Sequence, residues 1–159
     1  MSSPTAAAYV DGLKMLARRE LSEAQVRQRL ARKGHEDAAI DVAIARLRDE
    51  RAIDDRRTAE AIARTETSIK RRGKLRVRRQ IESAGIAGPT ARRAVDGVFE
   101  GLDADALLDA ALAKRLRGRE AIADDAEFRR LYRYLVSQGF EIDQVMKALT
   151  RRRPVRSLP

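Results

Sequence analysis

One residue pattern occurs three times along the chain, and it restricts the possible folds more than any other feature of the sequence. Gly34, Gly85 and Gly139 each follow one apolar helical stripe and precede a second one. The three glycines are 51 and 54 residues apart. Internal repetition at a period of this length is typical of arrays of small helical units, so the spacing predicts a tandem repeat protein.

The apolar residues around each glycine match in type across the three copies. Four and eight residues before the glycine, and six and ten residues after it, each copy has an aliphatic side chain on one helical face. Each glycine is therefore predicted to form a corner between two packed helices, since glycine tolerates the left-handed conformation that ends a helix. The matching residues are Val26, Leu30, Ile40 and Ile44 in the first copy, Val77, Ile81, Ala91 and Val95 in the second, and Leu131, Leu135, Val145 and Leu149 in the third.

The composition favours helices over strands throughout. Ala and Arg are plentiful, whereas only 9 Gly and 4 Pro occur in 159 residues. Hydrophobic residues make up 43% of the chain but aromatic residues only 4%, so the core must be aliphatic. We predict an all-α protein in which three tandem three-helix repeats form an elongated, curved array. The predicted repeats are residues 1–54, 55–102 and 103–153, followed by a frayed tail at 154–159.

Several helix starts can be predicted from their capping residues. The periodicity predicts a first helix from Thr5 to Arg19 and an eighth helix that begins at Glu127. Ser22, followed three residues later by Gln25, predicts a capping box at the start of the second helix. Either Asp54 or Asp55 could cap the fourth helix, because each would place negative charge where the helix dipole favours it.

Positive charge is concentrated in the middle of the chain. The net charge is +10, from 34 basic and 24 acidic residues, and residues 55–102 supply +6 of it. Seven of the ten residues from Lys70 to Arg79 are basic and none is acidic. Such a surface attracts a polyanion such as nucleic acid, although a run of charges can also be the solvated face of a helix.

The sequence argues against an enzyme. It contains no phosphate loop of the Walker type, no dinucleotide fingerprint and no serine-centred elbow. The single histidine, His35, has no nucleophile or metal partner near it in sequence. The pairs Asp54–Asp55 and Asp124–Asp125 could bind a metal ion, but both stand at predicted helix starts, where capping accounts for them. Since cysteine is absent as well, we expect no catalytic residue, no cofactor and no metal.

The chain also lacks the segments that direct a protein to or across a membrane. No apolar run of about 18 residues is present, and the first eight residues lack a basic stretch followed by an apolar one. We therefore expect a cytoplasmic protein without membrane association.

The order and spacing of several short motifs resemble those of the RecX family. The resemblance extends from about Tyr9 to Leu149, nearly the whole chain. The residues that carry it are Arg19-Glu20-Leu21-Ser22-Glu23, Leu30, Lys33-Gly34, Leu47, Ile53-Asp54-Asp55, Ala59, Gly73, Arg76-Val77, Ile81, Gly85-Ile86, Gly139-Phe140 and Val145.

One position departs from the family pattern. Thr58 stands where the family usually has an aromatic residue, three places after the second aspartate. A hydroxyl in place of a ring either weakens the packing of the middle repeat or leaves a gap that a neighbour fills.

The resemblance implies a non-enzymatic modulator of the RecA recombinase, and mainly an inhibitor. Members of the family bind RecA along the helical groove of its filament on DNA. They suppress its ATPase, its strand exchange and its promotion of LexA-type repressor cleavage, and so act in DNA repair, recombination and the SOS response. The expected partners are RecA and single- and double-stranded DNA with low sequence preference, and the expected state of the chain is a monomer.

The contacts with filament or DNA are predicted from the basic clusters. Phosphate contacts position a protein without reading sequence, which agrees with a low sequence preference. The strongest contacts are predicted for Arg71, Arg72, Lys74, Arg76, Arg78 and Arg79, and an extension of the track for Lys114, Arg115, Arg117, Arg119, Arg129, Arg130 and Arg133.

Two other functions remain open at this point. The first is a helix-turn-helix DNA-binding protein that acts without RecA and prefers one duplex site. A recognition helix should carry amide or hydroxyl side chains beside its arginines, and Arg76 to Gln80 offers only one. The second is a metal-dependent nuclease that uses the aspartate pairs.

Overall fold

The computed structural model describes residues 3–154, so most of the predicted tail and the first two residues lie outside the described part of the chain. Residues 3–154 form nine α-helices and no strand, which confirms the predicted all-helical class. The helices are α1 (Pro4–Leu16), α2 (Glu23–Arg32), α3 (Asp37–Asp49), α4 (Asp55–Ser68), α5 (Lys74–Ser83), α6 (Gly88–Glu100), α7 (Ala104–Leu116), α8 (Asp125–Ser137) and α9 (Ile142–Arg151).

The helices belong to two compact units. The first unit takes in the chain up to Ala61 together with Gln80–Ala94, and the second takes in Ile62–Arg79 together with the chain from Val95 onward. The boundaries fall inside α4, α5 and α6, so each of these helices contributes residues to both units. The division into three repeats stays a prediction about the organisation of the sequence.

The core of the first unit is built from α2, α3 and the turns that flank them. Its largest members are fully buried leucine and isoleucine side chains, against which the half-buried Tyr9, Met15 and Leu16 of the first helix pack. Burial of each such aliphatic side chain contributes about 1.5–3 kcal/mol. The buried members of this cluster are Leu21, Val26, Leu30, Ile40, Ile44, Leu47 and Ile53.

The core of the second unit is formed by α7, α8 and α9. It contains both buried phenylalanines, Phe128 and Phe140, and the half-buried Tyr132 and Tyr134 pack against it. The aliphatic members are Leu108, Ala111, Leu112, Leu116, Ile122, Leu131, Leu135, Val145, Ala148 and Leu149.

The structure confirms the apolar repeat pattern. All twelve matching aliphatic residues around the three glycines are buried. The backbone φ angles of Gly34, Gly85 and Gly139 are 89°, 80° and 92°, so each glycine has the left-handed conformation predicted for a helix corner.

Two of the three corners pack directly against the start of another helix. In the first unit, Ser22 Oγ at the start of α2 donates to the carbonyl of Ala84, the residue before Gly85. In the second unit, the N–H of Gly73 at the start of α5 donates to the carbonyl of Gln138, the residue before Gly139, at 2.8 Å. We call each of these two contacts a joint. In both joints, the start of one helix donates a hydrogen bond to the carbonyl before a corner glycine.

The joint at Gly139 satisfies backbone groups that a helix end leaves without partners. Besides the Gly73 bond, the N–H of Leu75 donates to the Gly139 carbonyl at 3.1 Å. The first N–H groups of α5 and the last carbonyls after α8 therefore pair with each other. A Cβ atom on Gly139 would overlap the backbone of Arg76, whereas no atom of residues 3–154 lies within 4 Å of the corresponding position on Gly34.

The helix starts agree with the capping residues, and the structure assigns roles to both members of the first aspartate pair. Ser22 and Gln25 form the predicted capping box. Asp54 accepts from the N–H of Arg57 at 3.1 Å and so caps α4, whereas Asp55 accepts from the N–H of Glu23 at 2.8 Å. Asp55 thus satisfies a free donor at the start of α2 rather than one in its own helix.

Two boundaries differ from the prediction by more than one residue. α1 ends at Leu16 instead of Arg19, because the cationic residues that follow do not continue its apolar stripe. α8 begins at Asp125 rather than Glu127, since Asp124 takes the N-cap position and accepts from the N–H of Glu127.

Thr58 occupies the position that departs from the family pattern. Its side chain is buried, and its hydroxyl lies 3.4 Å from both the Leu21 carbonyl and the Glu20 carboxylate. A polar contact therefore holds this site, where a ring would have contributed apolar packing.

No helix within residues 3–154 has the combination of length and apolar character needed to cross a membrane.

The joints predict that alanine substitutions at the three corner glycines lower the free energy of unfolding by different amounts. Gly34→Ala should lower the free energy of unfolding by about 1 kcal/mol, the cost of a side chain in left-handed backbone. Gly139→Ala adds the overlap with Arg76 and should cost about 3 kcal/mol. Gly85→Ala should resemble Gly139→Ala, because its Cβ would overlap that of Ala24. Urea unfolding of the three variants measures the difference, and equal losses would contradict the joints.

Candidate nucleic-acid interface

All thirteen residues predicted to contact filament or DNA belong to the second unit. They come from three places in the chain: the α4–α5 loop with the first turns of α5, the end of α7 with the loop after it, and the surface of α8. The structure adds one fact that the sequence does not show: several of these cations already have partners within the protein.

The loop between α4 and α5 is organised by a buried carboxylate. The Glu66 side chain is only 4% exposed, and it forms ion pairs with Lys70, at 2.7 Å, and with Arg72. The N–H of Arg72 also donates to the Glu66 carbonyl at 3.0 Å. A buried carboxylate requires such pairing because it has lost its hydration, so Arg72 is committed to the fold before any ligand binds.

The first turn of α5 is committed in a similar way. Arg76 donates through Nη1 to the Ser137 carbonyl at 2.9 Å, at the last turn of α8, where the helix dipole favours a cation. Lys74 lies 2.9 Å from the Asp96 carboxylate, and the half-buried Arg78 also has an interaction partner within the protein. These cations still contribute positive potential, but they have less freedom to rearrange around a phosphate.

Arg71 and Arg79 are the more available members of the basic segment. Arg71 is exposed, its side chain has no partner within residues 3–154, and its backbone φ of 51° places it in a left-handed turn. Arg79 is exposed too, and its side chain forms one hydrogen bond with the described residues, a long one of 3.5 Å to the Leu75 carbonyl. We therefore rank these two above the other four as candidates for phosphate contact.

The cations after α7 are held against α8 by two different interactions. The guanidinium of Arg115 lies over the ring of Tyr134, 3.7 Å from its centroid. Arg119 forms a two-pronged ion pair with Glu127, one of whose bonds is 3.1 Å long. Lys114 and Arg117 are exposed and have no partner among the residues that the structure describes.

α8 connects the three groups. Arg129, Arg130 and Arg133 are all exposed on it, and Arg130 is separated by three and four residues from Arg133 and Tyr134. Arg115 stacks on Tyr134, and Arg76 reaches the last turn of the same helix. The structure thus brings cations from α5 and α7 to one helix that has three exposed arginines of its own.

Two residues that place these cations were not predicted from the sequence. Tyr134 supports Arg115 through its ring, and Ser137 accepts from Arg76 through its carbonyl. The position of Tyr134 four residues after Arg130 marks it as a neighbour of the cationic face. No sequence signal marks Ser137, because any residue supplies a backbone carbonyl.

The carboxylates considered for catalysis are engaged elsewhere. Asp54, Asp55 and Asp124 accept from backbone N–H groups at helix starts, and Asp125 lies 3.7 Å from Arg153. Within residues 3–154, no three His, Cys, Asp or Glu side chains form a group that could hold a metal ion.

The fold and this surface define a class: an all-helical protein that presents a cationic face, formed in the second unit by Arg129, Arg130 and Arg133 with Arg76 and Arg115 beside them. The model of the first three-helix domain of RecX matches residues 8–47 of the chain. A regulatory protein RecX of Chromohalobacter salexigens is 34% identical over 151 residues, which cover 94% of this chain and 95% of the relative. The chain therefore belongs to the RecX family of regulatory proteins.

Further relatives and solved structures agree with this assignment. A regulatory protein RecX of Halorhodospira halophila is 31% identical over 137 residues, covering 86% of this chain and 82% of the relative. The crystal structure of RecX from Lactobacillus salivarius superposes with a TM-score of 0.74 at 19% identity, covering 93% of this chain and 96% of that one. A second crystal structure of a regulatory protein RecX gives 0.77 at 18% identity, with 93% and 72% covered. At these identities the two structures support the fold alone.

Removal of the buried carboxylate should affect stability and anion affinity in opposite directions. In Glu66→Gln the two cations lose their partner, so the free energy of unfolding should fall by about 2 kcal/mol. Arg72 then becomes available, so affinity for a single-stranded oligonucleotide should rise up to a few-fold. Glu60→Gln on the same helix is the control, because Glu60 pairs with the exposed Arg56 and should cost under about 0.5 kcal/mol. Loss of affinity in Glu66→Gln would contradict this view of the loop.

Glu127 should make stability depend on pH in the acid range. The Arg119 guanidinium and the N–H of Ala123 lower the pKa of Glu127 from 4.5 to about 2. A depressed pKa stabilises the fold above the unfolded value, and this contribution is lost as the pH falls from about 4.5 to about 2. Glu127→Gln should therefore destabilise by about 1 kcal/mol at neutral pH and by progressively less below pH 4.5.

Urea unfolding at several pH values measures this difference. Glu120→Gln is the control, since Glu120 is exposed and has no partner among the described residues. If the deficit of Glu127→Gln were the same at pH 3 as at pH 7, the ion pair with Arg119 would not be its cause.

Proposed function

We propose that this protein is a non-enzymatic modulator, and mainly an inhibitor, of the RecA recombinase. In this proposal it binds along the groove of the RecA–DNA filament and suppresses the ATPase, strand exchange and coprotease activities of RecA. It would act where RecA and the chromosome are, in the cytoplasm, as a monomer.

Membership of the RecX family is the observation that carries the proposal. The cationic face of the second unit supports it independently. Exposed arginines on α8, with Arg115 stacked on Tyr134, form a surface suited to the phosphates of a DNA backbone. None of these contacts requires a particular base, which agrees with low sequence preference for single- and double-stranded DNA.

The helix-turn-helix alternative has less support. In α5, Arg76 bonds to the end of α8 and Arg78 is engaged, so the residues with which a recognition helix would read bases are partly committed to the fold. The nuclease alternative has less support still, because the aspartates it requires accept hydrogen bonds from helix starts.

An ATPase titration tests the proposal directly. Purified protein added in substoichiometric amounts to RecA on single-stranded DNA should suppress ATP hydrolysis. If equimolar protein left the rate of ATP hydrolysis unchanged, the proposal would be wrong. A parallel assay for binding to duplex DNA without RecA separates the alternative, since a sequence-specific binder would prefer one site at moderate salt.

Charge removal at the available arginines tests which surface is used. Arg71→Gln with Arg79→Gln should weaken binding to single-stranded DNA several-fold and make its salt dependence less steep by roughly 1.4 in log–log slope. Arg64→Gln with Lys147→Gln removes the same charge from exposed positions of the same unit outside the predicted site. Arg76 is unsuitable for this test, because its substitution would also loosen the joint with α8.

The two pairs of variants have distinct outcomes. A larger effect of the first pair than of the second on both DNA binding and ATPase suppression supports contact through the basic segment. Equal effects of the two pairs would mean that the basic segment contributes through its net charge alone. A loss of DNA binding with unchanged ATPase suppression would assign regulation to contacts with RecA.

A further inference from the structure

A second group of cations lies in the first unit, where no run of basic residues in the sequence indicates it. The cleft beside α1 and α2 has a volume of about 380 Å³. Five cationic side chains line it, although residues 1–54 as a whole carry a net charge of only +1. The cations are Lys14, Arg18 and Arg19 from the end of α1 and the turn after it, and Arg29 and Lys33 from the end of α2.

Most of this positive charge has no counter-charge within the described part of the chain. Lys33 is 3.0 Å from the Asp11 carboxylate. The side chains of the other four cations have no hydrogen-bond or ion-pair partner among residues 3–154. Like charges gathered in a concave surface repel one another and raise the local concentration of anions, so a bound anion would stabilise this arrangement.

One carboxylate, that of Asp11, stands among the described residues of the cleft, and it does not neutralise the group. Asp11 accepts from Lys33 and lies 2.8 Å from His35 Nε2, and these two partners lower its pKa, His35 most of all. The carboxylate is therefore already engaged at the edge of the cleft, where it holds Lys33 in position.

Interaction with the helix dipoles accounts for only part of the cluster. Lys14 and Arg29 lie in the last turns of α1 and α2, where a cation is favourable by a fraction of a kcal/mol. Arg18 and Arg19 lie beyond the C-cap of α1, where this effect has faded. A different explanation is needed for their place in the same cleft.

The lining also indicates the chemistry of the ligand. Three guanidinium groups provide the forked donors that match the oxygens of a phosphate. Among the described residues that line the cleft, Met15 is the one large apolar residue, and none has an aromatic ring on which a base could stack. The volume holds one or two phosphate groups rather than a long segment.

We propose that this cleft, which shares no residue with the cationic face of the second unit, is a phosphate-binding site. Its ligand is a phosphate group, either of a nucleic-acid strand or of a free polyphosphate. The proposal does not depend on regulation of RecA, since it concerns residues of the first unit only.

Methionine provides a direct reporter of this cleft. The chain has three methionines, of which Met15 lines the cleft and Met146 is exposed on α9 in the second unit. With ¹³C-labelled methionine methyl groups, titration with inorganic triphosphate should shift the Met15 signal and leave Met146 nearly unchanged. The substitutions Met15→Leu and Met146→Leu assign the signals. A triphosphate titration that leaves Met15 unshifted would overturn the proposal.

Removal of two cleft charges tests whether the shift arises from binding there. Arg18→Gln with Arg29→Gln should weaken the triphosphate affinity reported by Met15 about tenfold. Arg92→Gln with Arg93→Gln is the matched control, because both arginines are exposed on α6 within the same unit and outside the cleft. Equal weakening by both pairs would overturn the proposal. If the first pair fails to fold, Lys14→Gln with Arg18→Gln replaces it, since both of these side chains are exposed.

Two further probes identify the source of the phosphate and exclude a different partner. Saturation of the Met15 shift by an oligodeoxythymidylate at lower phosphate concentration than by triphosphate identifies a nucleic-acid strand, and the reverse order identifies a free polyphosphate. Polyglutamate at equal charge should compete poorly. If it bound more tightly than both phosphate probes, an acidic protein segment would be the ligand and the proposal would be wrong.

Discussion

The pairing of one helix start with another helix end is the interaction on which the rest of the structure depends. A helix leaves its first N–H groups and last carbonyls without partners, and a small aliphatic core cannot tolerate them unsatisfied. The starts of α2 and α5 reach the carbonyls that precede Gly85 and Gly139, and each glycine permits the close approach because it has no side chain. The two joints share this geometry, which explains why glycine stands at both of these corners.

The same joints limit what the basic segment can do. Arg76 lies at the joint itself, where it bonds to the end of α8, and Arg72 is held by the buried Glu66. A run that reads in sequence as uniformly cationic is therefore divided between side chains that stabilise the fold and side chains that remain available to a ligand. Arg71 and Arg79 belong to the second group, as do the exposed arginines of α8.

The surroundings of Gly34 differ from those of the other two corner glycines. Within residues 3–154, nothing lies within 4 Å of the Cβ position of Gly34, so this corner has no joint like the other two. Near α8, the N–H of Ile122 donates to the Arg152 carbonyl at 2.9 Å, and Arg153 lies over the ring of Phe128. The residues that follow α9 thus cover part of the core formed by α7, α8 and α9.

The sequence by itself determined the helical class, the three corners and their twelve buried aliphatic positions, because helical periodicity and the backbone freedom of glycine are local properties. It also determined the capping box at Ser22 and the identity of the cations. Only the tertiary structure decided which cations are free, since the partners of Arg72, Arg76 and Arg115 depend on burial or on contacts between distant helices. The cleft beside α1 and α2 was decided there too, because its charges are diluted in sequence by acidic residues that fold elsewhere.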